Sequence, residues 1–402
     1  SVNRASMLRL AALGIIGLGA ALLTAAVLLS SYTAGKIKKI PLDIDQTLVS
    51  NGTGTALDPG SLSAGPGARF VIDNNVPLVS QQAMTVETPA NAEVVTFQVG
   101  TTVRRSDKQK DSGLLLAMVD TVTLNRTTAE AVSDDERPGG SVQRPRTVED
   151  DKPPTNIALP HEGLSYRFPF NTEKKSYPYF DPIAQKAFDA NYDGEDDVNG
   201  LTTYRFTQNV GYDADGKLVD PIKYASLYDR SEDADVTARA ELWGIPDVDP
   251  YEPITMTRFY AAQRTFWVDP VSGTIVRAEE HANHYYARDP LRPEMALADY
   301  KVTSTEQTVE SQVAAARAER DRVALWSRIL PISLAAAGAV ALVSALLLGL
   351  FSGRVESALA ETGEDDIDIG LFGRDETGPM PAAQALTEKI PTRRPEPPPQ
   401  QP

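Results

Sequence analysis

The chain has 402 residues, a formal charge of -16 and no cysteine. That acidity excludes nucleic acid as a partner, because its phosphates would repel such a surface, and argues against a body lying flat on anionic lipid. The missing cysteines exclude a disulfide frame, a thiolate metal site and a cysteine nucleophile.

The first element is an uncharged apolar run from Leu10 to Gly35, most apolar up to Leu29. A helix rises ~1.5 Å per residue and the hydrocarbon core is ~30 Å thick, so about 20 apolar residues suffice to cross. The run predicts a transmembrane helix over 10–32, after a short N-terminal segment, 1–9. A cleaved signal peptide is the competing reading, with Arg4 and Arg9 as its basic end and Thr33-Ala34-Gly35 as its small residues. The apolar stretch exceeds the ~7–15 residues usual for such peptides, which favours an uncleaved anchor.

Lys36 to Pro41 ends this helix and opens a body over 36–303. Asn51 to Gly67 is Gly-rich and reads as loops. Ala92–Arg105 alternates as a half-buried strand, and Leu114–Leu124 with Ala129–Val132 reads as a hairpin continuing it. Residues 133–160 cluster charge and proline with few large apolar side chains, the pattern of an exposed insert between two β units. Val119-Asp120 and Val268-Asp269 each open a similar strand–turn–strand stretch. The echo fits either an old duplication of one β module or two unrelated hairpins.

From His161 onward the chain turns aromatic: of 28 aromatic residues, 22 lie between Tyr166 and Tyr300. Strands are expected at Gly163–Phe168, Leu201–Val210, Met256–Val268 and Thr274–Ala287. A short helix is expected from Asp181, with Pro182 at its first position, and a second over Asp235–Leu242, stopped by Gly244. Asp189, Asn191 and Asp193, followed by Gly194, match the first half of a calcium loop. Position twelve is Gly200 instead of Glu, and a plain acidic turn is the competing reading. Asp213-Ala-Asp215-Gly216 reads as a further hairpin turn. His281 and His284, three apart in a strand, fall on opposite faces and make a poor metal pair. No nucleophile elbow, phosphate loop or dinucleotide fingerprint occurs, so neither an enzyme nor a cofactor is expected.

Thr303-Ser304-Thr305-Glu306 forms a capping box opening a helical stalk over 304–328, which runs into the second apolar stretch, Ile329–Gly353. That stretch predicts a transmembrane helix over 329–352. The tail, 353–402, is acidic, then Pro-rich, and reads as disordered. Lys36, Lys38, Lys39, Arg317, Arg320, Arg322 and Arg328 crowd the body side of the two spans. Long domains translocate regardless of such charge, so the side of the membrane stays open on these grounds. The fold class is therefore mainly antiparallel β, with two related β units as an open option, a few short helices and two flanking transmembrane α-helices.

Three stretches, Gly163–Tyr177, Val198–Phe206 and Arg264–Gly273, with the two-span layout, resemble an actinobacterial membrane-protein family often labelled "PorA family porin". The resemblance covers most of residues 8–352. It implies a cytoplasmic (inner) membrane protein with an extracytoplasmic body and cytoplasmic termini, in bacteria with a mycolate envelope. It also implies a link to envelope biogenesis, meaning traffic of glycolipids of the trehalose mycolate or lipoglycan type. It supplies no catalytic residues. A porin wall needs closed, apolar-outward strands, whereas this membrane is crossed by two helices. The leading expectation is a non-enzymatic envelope protein that binds such glycolipids or docks on their transporter. A scaffold without a lipid ligand is the alternative, followed by a channel-forming porin and an envelope-modifying enzyme. The aromatics Tyr166, Phe168, Phe170, Tyr204, Phe206, Phe266 and Trp267 are the candidate ligand contacts, with an ordinary β core as the competing account.

Overall fold

The computed structural model describes residues 4–58, 60–61, 69–133, 139–143, 146–147, 156–223 and 234–361. Two compact units result: Gly14–Ser344, which carries the sheet, and Ser1–Leu13 with Ala345–Pro402. Within the described residues the second unit consists of the outer ends of the first and last helices.

Helix α1 (Arg4–Ile37) leads through a short extended segment to strands β1 (Asp45–Leu57), β2 (Ile72–Glu87), β3 (Val94–Arg105) and β4 (Leu114–Asn125). The short strands β5 (Gly140–Gln143), β6 (Arg146–Thr147) and β7 (Asn156–Ala158) follow. Then come β8 (Tyr177–Asp181), β9 (Lys186–Val198), β10 (Leu201–Val210), β11 (Ile222–Lys223) and β12 (Asp235–Arg239). The one-turn helix α2 (Ala240–Trp243) precedes β13 (Pro253–Val268), β14 (Ile275–Ala287) and β15 (Met295–Ser304). Helix α3 (Glu306–Ala324) passes through a π-helical turn, Leu325–Ile329, into α4 (Leu330–Glu361). Among the described residues, α1 and α4 are long and apolar enough to cross a bilayer.

The described strands form one 15-stranded antiparallel sheet, ordered β7-β5-β4-β3-β2-β1-β15-β14-β13-β10-β9-β8. Both halves of the chain are therefore contiguous in the sheet, and they meet where β1 pairs with β15, from Ser50 opposite Ser304 to Ala56 opposite Ala298. A strip of backbone links β4 to the edge strand β8. Val132 donates to Thr123 O, Ala131 to Gly163 O, and Leu164 to Pro178 O, while Phe180 returns a bond to Leu164 O. These isolated bridges tie the curved sheet back to itself, and its buried side chains form the core.

At the seam, a Cβ on Gly52 would lie 1.9 Å from Lys301 O, and one on Gly54 2.4 Å from Asp299 O. Glycine is required there because the backbones approach too closely for any side chain. The Gly-rich stretch expected to be loops is consequently half strand. The other corrections have equally local causes. Gly163–Phe168 is not a strand: it makes an isolated bridge at Leu164, and Tyr166 has φ +61°. Asp181 does not start a helix. Its Oδ1 accepts from the Ile183 and Ala184 amides at 2.8 and 2.7 Å, a cap-like pattern spent on the β8–β9 turn. Asp235–Arg239 pairs with β13 as a strand, and only the last residues before Gly244 (φ +70°) are helical.

Part of the expected insert belongs to the sheet, since β5 and β6 pair with β4 and Val142 is fully buried. The tail beyond Glu361 lies outside the described residues. Asp120 sits mid-strand in β4 whereas Asp269 opens the turn after β13, so the echoed residues are not structurally equivalent. The cap of α3 is Thr305, which accepts from the Thr308 amide, and the Thr303/Glu306 box does not form.

Helix α3 is docked on the sheet. Val309, Val313 and Ala316 pack with Val198, Leu201, Trp267 and Val276. On its other side Thr308 Oγ1 bonds Val49 N and O at 3.0 Å, and Gln312 Nε2 donates to Gln46 Oε1 at 2.9 Å. β15 ends at Ser304, so α3 fills the wall between β1 and β14 where that strand has run out. In the membrane helices, a Cβ on Gly19 would meet Gly338 O at 3.0 Å and one on Gly338 would meet Gly19 O at 3.0 Å. The helices cross there, as small residues allow in lipid.

Candidate functional site

Two buried clusters divide the interior: one around Phe97, Phe168 and Phe206, the other around Leu116, Tyr260 and Tyr300. Between them lies a cavity of about 200 Å³. Strand alternation dictates its walls. Gln46, Leu48 and Ser50 face inward from β1, and Ser80, Gln82 and Met84 from β2. Register sets Gln46 opposite Met84, Leu48 opposite Gln82 and Ser50 opposite Ser80. This wall is a patchwork of neutral amides and hydroxyls among apolar groups. Phe97, Leu116, Met118, Phe180 and Ile183 add an apolar lining, and Gln312, Ala315 and Glu319 of α3 close one side.

The opposite wall is ionic. Gln208, Arg264 and Glu280 are direct cross-strand neighbours on β10, β13 and β14. Arg264 Nε donates to Glu280 Oε2 at 2.7 Å, Nη2 to Tyr260 Oη at 2.7 Å, and Nη1 to Asp181 Oδ2 at 2.5 Å and Gln208 Oε1 at 3.2 Å. Tyr260 Oη in turn donates to Asp181 Oδ2 at 2.9 Å. Asp181 is fully buried, so removing either partner would strand a charge in low dielectric. Burial alone would lower the Arg264 guanidinium, but Asp181, Tyr260 and Glu280 outweigh it and hold it well above its ordinary value. Tyr300 Oη donates to Glu280 Oε1 over a long 3.3 Å, so this cavity-lining oxygen is weakly engaged among the described residues.

A second ionic pair, Arg167 with Glu319, ties the cavity rim to α3, and Arg167 Nη2 also donates to Ser272 O at 2.9 Å. Arg167 Nε and Thr101 Oγ1 are buried without a hydrogen-bond partner among the described residues, and both residues line the cavity. Beside them Tyr166 donates to Asp120 Oδ2 at 2.5 Å, and His161 Nε2 lies 2.8 Å from Asp120 Oδ1. Burial first, then the Asp120 carboxylate, raises the Tyr166 phenol well above its usual value. The orphaned polar groups and the half-satisfied carboxylate give the cavity hydrogen-bonding capacity that the protein itself leaves unused.

Of the seven aromatic candidates, Tyr166 and Phe266 line this cavity. Phe168, Phe170 and Phe206 are core, Phe168 packing on Phe206 with centroids 4.6 Å apart, and Tyr204 packs partly buried against the same cluster. Trp267 lies under α3 and donates to Asp196 Oδ2 at 2.8 Å. Asp189, Asn191 and Asp193 sit on the extended strand β9, so neither the calcium loop nor the acidic turn forms. Asp193 pairs with Arg205, Asn191 accepts from Ser176 at 2.7 Å, and no group of three potential metal ligands occurs among the described residues. The ionic residues Asp181, Arg264 and Glu280 escaped the sequence reading. The available signal was their period: Tyr260, Ala262, Arg264 and Phe266 alternate on β13, which places an arginine on the core face.

The sequence model of a family described as Porin PorA matches residues 11–347. Two proteins named Porin PorA, from Corynebacterium amycolatum and Corynebacterium resistens, are each 29% identical to this chain, over 309 and 332 residues. Each comparison covers 68% of this chain, with 77% of the first relative and 76% of the second.

Proposed function

The chain belongs to the Porin PorA family, and from that premise we propose a membrane-anchored, non-enzymatic envelope protein whose body holds the polar head of a glycolipid. In this reading the body stands outside the cytoplasmic membrane, both termini are cytoplasmic, and the ligands are of the trehalose mycolate or lipoglycan type.

The carrying observation is the cavity, lined by amides and hydroxyls at Gln46, Ser50, Ser80 and Gln82 together with the charged Arg264 and Glu280, behind which Asp181 is buried. Neutral hydrogen-bonding groups beside carboxylates and aromatic faces suit a hydroxyl-rich head. About 200 Å³ falls below the ~300 Å³ at which pockets for drug-sized ligands begin, so a sugar-sized group fits and acyl chains stay outside.

The relatives' name favours a second reading, a channel. Against a lipid-facing strand wall stands β9, whose exposed positions are Lys186, Asp189, Asn191, Asp193, Glu195 and Asp197. Outward charges of this kind cost about 2–4 kcal/mol each for basic residues at the bilayer midplane and less for acids. A channel would have to be built by α1 and α4 from several chains.

The test is native mass spectrometry of the full chain extracted in mild detergent, with and without added trehalose glycolipid. Retained glycolipid, lost in Gln82→Met while circular dichroism is unchanged, supports the reading. No retention together with ion conductance in planar bilayers overturns it in favour of the channel.

A further inference from the structure

The body's charge is unevenly placed. α1 ends at Ile37, and Ile40, fully buried, anchors the following segment in the core beside Val323 of α3. Tyr32 and Trp326, 65% and 41% exposed, mark the level where two amphipathic rings meet the membrane–water boundary. Between that level and the sheet stand Lys36, Lys38, Lys39, Arg126 and Arg322, a basic collar on a chain of net charge -16.

Two of these cations lie at one place in the fold, because Arg126 bonds Ile40, which shares a core cluster with Val323, the residue after Arg322. Arg126, on the β4 hairpin, donates Nε to Ile40 O and Nη1 to Asn91 O, both at 2.8 Å, while its own carbonyl accepts from the Ile40 amide. Lys39 Nζ donates to the next carbonyl, Ala92 O, at 2.6 Å. The guanidinium is thus fixed by neutral oxygens, with Nη2 left unbonded among the described residues. Burial, and then the like charge of Arg322, lower Arg126 from its ordinary value. Asp43, Glu93 and Asp321 lie close in sequence and are exposed, yet among the described residues none forms an ion pair with Lys39, Arg126 or Arg322. Arg126, fixed by neutral oxygens, and the exposed Arg322 near it, neither ion-paired among the described residues, form an anion site at the level of the headgroups.

We propose that this collar binds the phosphate of an anionic membrane lipid, seated between Arg126 and Arg322 in the leaflet on the body side. The site is independent of the cavity and stands whether or not the cavity binds a glycolipid.

The test uses the full chain reconstituted in phosphatidylcholine vesicles doped with phosphatidylglycerol, with lipid retained after mild extraction read by native mass spectrometry. Retention of phosphatidylglycerol over phosphatidylcholine is expected. With each basic residue near the surface worth ≈ 1 kcal/mol, retention should fall about fivefold in Arg322→Gln and about thirtyfold in Arg126→Gln/Arg322→Gln. Arg322→Gln removes an exposed side chain and keeps the fold intact, and Arg288→Gln, at the far β14–β15 turn, should change nothing. Equal retention of both lipids, unchanged retention in the variants, or displacement of phosphatidylglycerol by inorganic phosphate would each overturn the proposal.

Discussion

Burial first, then repulsion from Arg258, lowers His284 from 6.5 to about 3, and its ring lies 4.9 Å from that of Tyr260. A histidine held neutral in the fold takes up a proton only on unfolding as pH falls below 6.5. Stability is therefore fully present above pH 6.5 and is lost downward, by at most ~1.4 kcal/mol per pH unit for one proton. The melting temperature should fall between pH 6.5 and 5, before ordinary carboxylates titrate, and His284→Gln should flatten that slope. A wild-type slope that persists in the variant would assign the effect elsewhere. Such residues are poorly legible in a sequence, because Asp181 and His284 carry the same local signals as solvated groups. Only a partner on a distant strand makes them interior.

At the scale of elements, the three long helices and the longer apolar strands were readable because their apolar patterns are strong, whereas the two short helices expected from Asp181 and over Asp235–Leu242 were not. Among the strands that escaped notice, β1, β2 and β9 are polar on one or both faces. β9 is so acidic that its motif suggested a loop. α3 was legible as a helix but not as part of the wall, since docking depends on Val309, Val313 and Ala316 meeting Trp267. That packing predicts a protease pattern. Trypsin should spare Arg317 and Arg320 in the native protein, where Arg317 donates to Asn199 O and Arg320 pairs with Asp269. Val313→Asp buries an unpaired charge, costs several kcal/mol and should expose both sites to cleavage while strands persist by circular dichroism. Early cleavage in the wild type would mean that α3 is a free stalk after all.

For the whole molecule, the pairing of β1 with β15 makes two halves one sheet, and no local sequence signal announces such a contact. Each half alone would bare a long strand edge, as well as losing the cavity wall that the other supplies. A single cooperative unfolding transition of the body is the expected outcome, followed by tryptophan fluorescence and far-ultraviolet circular dichroism with coincident midpoints. Two separated midpoints would mean that the halves are autonomous domains.

The same seam governs the order of manufacture. β1 leaves the ribosome with its anchor, but Tyr300, which pairs with Gly54, follows 246 residues later. At about 5–20 residues per second that is a wait of roughly 12–50 s with one edge bare. The composition of β1, Asp-Gln-Thr-Leu-Val-Ser-Asn-Gly-Thr-Gly-Thr-Ala-Leu, suits this interval: polar and glycine-broken, it is a poor template for sticking to a neighbouring nascent chain. The feature that disguised it as a loop is what lets it stay unattached until its partner is made.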